Sequence, residues 1–181
     1  MPSRTSDALG TVNVAPKVLG IDPGQSGALA FLTVQGLIWE LEDMPLLGKE
    51  INAHMLTRLI EGYGPVKVAA VERAQSMPKQ GVTSVFNYGV GYGKILGVLA
   101  ALDIPIVFYS SSEWKKHWHL NNDKNLSRRR ATERWPLYAD SFSRVKDDGR
   151  AEACFIAAKW VADNPVRRVS KRLTPVPAMT D

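Results

Sequence analysis

The sequence predicts an α/β domain in which a mixed five-stranded sheet carries helices on its faces. Three strand-type apolar runs follow one another too closely for a helix to intervene. Two later runs are each preceded by a stretch of helical periodicity, the pattern of crossover connections. The chain has 181 residues, 45% of them hydrophobic, which suits one sizeable core and falls short of two full domains.

Lys17 to Asp22 reads as a buried strand ending in an acid. Pro23 and Gly24 make a turn, and Ala28 to Val34 resumes β-type character, giving a hairpin with its acid at the turn. Leu37 to Leu41 supplies a third strand, Ala53 to Ile60 has helical spacing, and Val66 to Val71 is a β-rich run that ends at Glu72. From Thr83 to Leu102 the pattern is helical, with Gly89, Gly93, Gly97 and Ala101 forming a smooth stripe down one face. Ile104 to Tyr109 is the last strand. Ser110 to Ser112 caps a helix running through Trp118, and a further helix starts near Leu126 and is limited by Pro136. Lys146 to Gly149 is a polar turn before the apolar helix of Ala151 to Val161. Residues 1–16 read as a disordered leader, 17–166 as the folded domain, and 167–181 as a basic, proline-punctuated, disordered tail.

Composition narrows the function classes. No apolar stretch approaches the roughly 20 residues that cross a bilayer, so no membrane span is expected. One cysteine, Cys154, excludes an internal disulfide and a cysteine-rich zinc site; a buried core thiol in a reducing, cytoplasmic setting is expected. The net charge of +5 is a modest bias towards polyanions. Its distribution says more, because Lys115, Lys116, Lys124, Arg128, Arg129, Arg130 and Arg134 crowd one stretch and Arg167, Arg168, Lys171 and Arg172 another. His117 and His119 lack zinc-site spacing and receive no catalytic role. Trp114, Trp118 and Trp135 interleave with the cations; core or boundary positions are the expected reading, base stacking the alternative.

Phosphodiester hydrolysis at neutral pH needs a nucleophilic water and compensation for charge on the attacking and leaving oxygens, which two divalent ions supply. Hard ions such as Mg²⁺ take oxygen ligands, so converging Asp and Glu side chains are the signal to look for. Asp22 and Glu72 both end apolar strands, and Asp148 and Glu152 lie four apart, on one face of a helix that begins at or just before Asp148. Each has an ordinary alternative: a turn residue for Asp22, a surface strand end for Glu72, an N-terminal cap for Asp147 and Asp148.

Taken together and in this order, V-L-G-I-D-P-G-Q-S-G-A, V-A-A-V-E-R-A, F-N-Y-G-V-G-Y-G and D-D-G-R-A-E-A resemble the RuvC-like Holliday junction resolvase family, bacteriophage-type members included, over about Lys17 to Ala162. The resemblance implies an RNase H-type fold, dependence on Mg²⁺ or Mn²⁺ with two ions per site, a homodimer, and paired nicks across four-way DNA junctions in a bacterial cell or phage-infected host. It assigns the metal-holding, catalytic carboxylates to Asp22, Glu72, Asp148 and Glu152, with Asp147 in reserve for the third. It assigns dimer contact to the helix bearing Gly89, Gly93 and Gly97, and DNA contact to the basic segment holding Lys115, Lys116, Lys124, Arg128, Arg129 and Arg130. Two departures stand out: Glu152 follows Asp148 by four residues where many members place an Asp after three, and Gln75 stands where some place an aromatic wedge.

Two rival functions remain. A nuclease of broader range, cutting flaps and forks, would use the same acids. G-I-D-P-G-Q-S-G-A is also similar to the phosphate hairpin of actin-like ATPases and sugar kinases, but their two lobes need about twice this length and a second glycine-rich hairpin.

Overall fold

The computed structural model describes residues 15–75 and 81–165. Nearly all of the expected leader and tail lies outside them.

Strands β1 (Lys17–Asp22), β2 (Ala28–Thr33) and β3 (Ile38–Asp43) form an antiparallel meander. A short hairpin follows, β4 (Leu46–Leu47) with β5 (Glu50–Ile51), which the sequence reading did not anticipate. Two-residue strands are too short to show a period of two, so only Gly48 at their turn marked them. Helix α1 (Ala53–Tyr63) leads to β6 (Val66–Glu72), α2 (Val82–Ala101) to β7 (Ile106–Tyr109). Then come α3 (Ser111–His117), α4 (Lys124–Arg134), two 3₁₀ turns and α5 (Asp148–Asp163). The main sheet has the order β3-β2-β1-β6-β7, with β1, β6 and β7 parallel. The mixed five-stranded sheet expected from the sequence is therefore present.

Side chains alternate across the sheet and divide the core in two. Leu19, Ile21, Leu29, Phe31, Ala69 and Val71 pack against α1 and α2. Val18, Ala28, Ala30, Leu32, Val68 and Ala70 face α5, together with Trp114, Trp135 and Phe142. Helices thus cover both faces. Cys154 is fully buried among the second set, as its composition predicted. Among the described residues no helix is long and apolar enough to cross a membrane.

Helix α5 owes its position to what it rests on. Gly20 is level with Ala30 on one side and Ala70 on the other, so a row of small residues crosses the middle of three strands. Ala153 and Ala157 lie directly over Gly20. Salt links hold the start of α5: Arg150 Nε donates to Asp43 Oδ1 at 2.6 Å, at the end of β3. Arg144 meets Asp147 one turn earlier.

Candidate active site

Alternation places Asp22 in phase with Val18 and Gly20, and Glu72 in phase with Val68 and Ala70, so both carboxylates point to the α5 side. Ile21 is level with Val71 in the parallel pair, which sets the two acids side by side at the carboxyl ends of their strands. That end of an open α/β sheet is where ligand crevices form. Helix α5 begins above it: Asp148 opens the helix and is 6% exposed, and Glu152 follows one turn later. Gly149 lets the helix start close by, because its Cα packs against the backbone of Ser26 and Gly27 in the β1–β2 turn. All four acids expected from the sequence therefore gather at one end of the sheet, close enough to feel one another's charge.

Two ammonium groups stand among them. Lys124, at the start of α4, forms an ion pair with Asp148, and Lys115 of α3 lies 3.8 Å from Glu152. No three His, Cys, Asp or Glu donors among the described residues stand ready to share one ion. The indole N–H of Trp114 donates to Glu72 Oε2 at 2.7 Å. Trp114 is fully buried, in line with the core or boundary position expected for it, while its bond to Glu72 has no signature in the local sequence.

Electrostatics follow from burial and crowding. Burial first, then the charges of Glu152 and Glu72, push the Asp22 carboxyl up to about 7, against the opposing Lys124 charge and the Gly24 N–H that donates to it. Glu72 is raised chiefly by burial, and the Trp114 hydrogen bond and Lys115 work the other way. Burial also raises Glu152; Lys115 and Lys124 oppose it, Glu72 and Asp148 add to it. The hydrogen bond to Asp148 raises Lys124 and keeps it charged. Tyr88, on α2, also belongs to this neighbourhood: burial and the charges of Asp22 and Glu72 push its hydroxyl up to about 12.

A stability prediction follows. An acid whose folded pKa exceeds its unfolded value near 4 carries a proton in the folded state that the unfolded chain has released. Stability from Asp22 therefore falls as pH rises between about 4 and 7 and stays low above. The metal-free protein is expected to melt several degrees higher at pH 6 than at pH 8. With solvent screening discounted, the Asp22 share is on the order of 1–2 kcal/mol. Asp22→Asn should flatten that difference in a calorimetric pH series; an unchanged slope would place its origin elsewhere.

Asp147 is not in this cluster. It is fully buried, takes the backbone N–H of Arg144 at 2.8 Å and is gripped by the same residue's guanidinium. Burial works against its charge, but Arg144 outweighs that and holds the carboxyl below the ordinary range. It stands at the N-cap position of α5 but makes no side-chain capping bond there; its carboxylate instead closes the 3₁₀ turn before the helix by accepting the Arg144 N–H.

The predicted basic residues divide. Lys115 and Lys124 face the acids. Lys116, Arg129 and Arg130 are exposed, Arg130 beside Glu133 at 3.0 Å. Arg128 instead bonds the carbonyls of Phe142 and Ser143 and the Asn125 side chain, tying α4 to the 3₁₀ turn. Trp135 is buried and Trp118 half-buried, each with its indole N–H on a backbone carbonyl. The expected core and boundary positions hold for both. On α2, Gly89, Gly93 and Gly97 are exposed, and a Cβ added at any of them would meet nothing within 4 Å. The stripe faces outward, with Phe86 and Val90 exposed on the same helix, and packs against nothing among the described residues.

No protein-family profile and no curated protein sequence matches the chain. Solved structures do. RuvC from T. thermophilus in complex with a Holliday junction substrate aligns with TM-score 0.61 at 16% identity, over 82% of this chain and 96% of that one. A second Thermus thermophilus RuvC structure gives 0.56 at 18% identity over 80% and 96%. The yeast mitochondrial Holliday junction resolvase Ydc2 gives 0.54 at 16% identity over 83% and 80%. The likeness establishes the fold: this sheet order, with helices on both faces, is the RuvC-type, RNase H-like arrangement.

Proposed function

We propose that the protein is a divalent-metal-dependent, structure-selective DNA endonuclease of the RuvC-like kind that resolves four-way junctions by paired nicks. The observation that carries the reading is the convergence of Asp22, Glu72, Asp148 and Glu152 from three elements at the carboxyl end of the sheet, with lysines on the rim. The likeness to resolvases, one of them in complex with junction DNA, supports the choice of substrate.

The donor set fits Mg²⁺ or Mn²⁺. It consists of carboxylate oxygens only, on three elements, and burial first, then the charges of Glu152 and Glu72, raise Asp22 to about 7, a cost that bound cations offset. Asp22, Glu72, Asp148 and Glu152 are the residues that would hold two ions. Bound there, the ions supply a nucleophilic water near neutral pH and neutralise charge on the attacking and leaving oxygens. The chain's own part is to present the four carboxylates to the ions from three elements of the fold. Lys115 and Lys124 offset the acids' charge and meet phosphate oxygens at the rim, while Lys116, Arg129 and Arg130 bind backbone phosphates further out.

A homodimer through the outward stripe of α2 sets two such centres against opposed strands, so geometry rather than base readout selects the junction. Five exposed positions on one helix, Phe86, Gly89, Val90, Gly93 and Gly97, leave room for close helix contact.

The deciding test is incubation with Mg²⁺ and strand-labelled four-way junctions, forks, flaps and linear duplex, with the nicks mapped. Symmetric nicks on junctions alone support resolution. Equal cutting of flaps and forks supports the broader branched-DNA nuclease, and absence of metal-dependent cutting overturns both.

The divided basic stretch gives a second prediction. Replacing Arg129 and Arg130 by Ala should weaken binding to every DNA form and reduce the slope of log K against log salt by about 1–2. Arg128→Ala should instead lower the melting temperature, by roughly 1–3 kcal/mol of stability, since it leaves two carbonyls without their donor. Filter binding across salt concentrations and thermal melts separate the two roles.

A further inference from the structure

We propose that Trp114 is a positioning residue for Glu72, acting through its indole N–H rather than only by filling the core. Four tryptophans, Trp114, Trp118, Trp135 and Trp160, pack in or against the core on the α5 side of the sheet. A buried indole needs an acceptor, and a backbone carbonyl is enough: Trp118 uses Phe155 O and Trp135 uses Gly36 O, each at 2.9 Å. Trp114 is completely buried yet donates to a carboxylate, Glu72 Oε2, at 2.7 Å. A charge-assisted bond of this length fixes the carboxylate's rotation as well as its place. One oxygen is thereby committed to the protein, and Oε1 has no hydrogen-bond partner among the described residues.

Local structure makes the donor rigid. Ser110 caps α3 by accepting the Glu113 N–H, and the Trp118 indole ties the end of that helix to α5. Trp114 lies between these two anchors. The next residue, Lys115, reaches Glu152. One short helix therefore addresses two acids from adjacent positions, Glu72 by a hydrogen bond and Glu152 by an ammonium charge 3.8 Å away. Residues that orient a metal ligand in this way change metal affinity about 10–100-fold when lost.

The inference rests on the reading of Glu72 as a cation ligand. Its test compares wild type, Trp114→Phe, Glu72→Gln and the double variant by Mn²⁺ calorimetry, with ¹⁵N-labelled indole resonances followed by NMR. Trp114→Phe keeps a six-membered aromatic ring in the core and removes the N–H together with the five-membered ring that carries it, a loss of volume that the Glu72→Gln background shares and so cancels in the comparison. It should bind Mn²⁺ about 10-fold more weakly, and it should add no further loss in the Glu72→Gln background. A purely structural role predicts additive losses, which would overturn the proposal. In wild type, one indole N–H signal should move both on Mn²⁺-free Mg²⁺ titration and on Glu72→Gln substitution; this readout stands even where Trp114→Phe fails to fold, and an unmoved set of signals overturns the proposal. Metal binding that depends on Asp22 but is equal in wild type and Trp114→Phe refutes the positioning role alone. Absence of metal binding in wild type refutes the function reading with it.

Discussion

Asp22→Asn is expected to abolish metal-dependent cleavage of four-way junctions, by at least about 10³-fold, while junction affinity at fixed salt changes less than about twofold. The size follows from charge: a divalent ion stabilises transition-state charge by several kcal/mol, and about 4 kcal/mol corresponds to about 10³ in rate. Asn keeps the shape of Asp22 but cannot serve as an anionic ligand. The basic residues that would bind phosphates lie on α3 and α4 and keep their charge in the variant, so binding is expected to change little. Stability gives a second, opposite sign. Asp22 sits half-buried beside Glu72 and Glu152 with its carboxyl pushed up to about 7, so at pH 8 its charge destabilises the metal-free fold. The inactive variant should therefore melt at or above the wild-type temperature at pH 8. Parallel single-turnover cleavage, filter binding and calorimetry read all three quantities. Equal loss of binding and cutting would remove Asp22 from the metal-holding set, and a variant that melts lower would show that the carboxylate supports the fold.

The parts of this site that could be read from sequence were those written in local periodicity. Asp22 and Glu72 ended apolar runs, so their place at strand ends followed from a period of two. The i, i+4 spacing of Asp148 and Glu152 gave a shared helix face, and the observed start of α5 at Asp148 supplies the phase. Contacts between distant segments were not legible. The bond from Trp114 to Glu72 spans 42 positions, and no pattern in either segment encodes it. Arg128 looked like its neighbours in R-R-R because composition does not show which of three adjacent side chains points to the Phe142 and Ser143 carbonyls. The i, i+4 spacing to Glu152 favoured Asp148 over its neighbour Asp147, which stayed in reserve. What separates them is Arg144, whose guanidinium and backbone both meet Asp147 and leave Asp148 to face Lys124.

Gly20→Val is expected to be the most disruptive single change outside the acids, with a stability loss of about 3 kcal/mol or more and a fall in melting temperature on the order of 10 °C. Gly20 lies between Ala30 and Ala70 in the sheet, beneath α5. A Cβ there would collide with Ala153 O and come within 2.8 Å of both the Ala157 Cβ and its backbone N. These are backbone atoms of a helix packed along its length on β1 and β2, so no side-chain rotation relieves the overlap. The helix must lift. Lifting α5 raises Asp148 and Glu152 away from Asp22 and Glu72, so any folded fraction should also lose metal affinity and cleavage, unlike an ordinary core variant. Gly62→Ala is the control: Gly62 lies inside α1, a Cβ there meets nothing within 4 Å, and the change should stabilise by up to about 1 kcal/mol. Chemical denaturation together with Mn²⁺ calorimetry on both variants tests the argument. A Gly20→Val protein that unfolds more easily yet binds Mn²⁺ like wild type would mean that the height of α5 over the sheet does not set the geometry of the four acids.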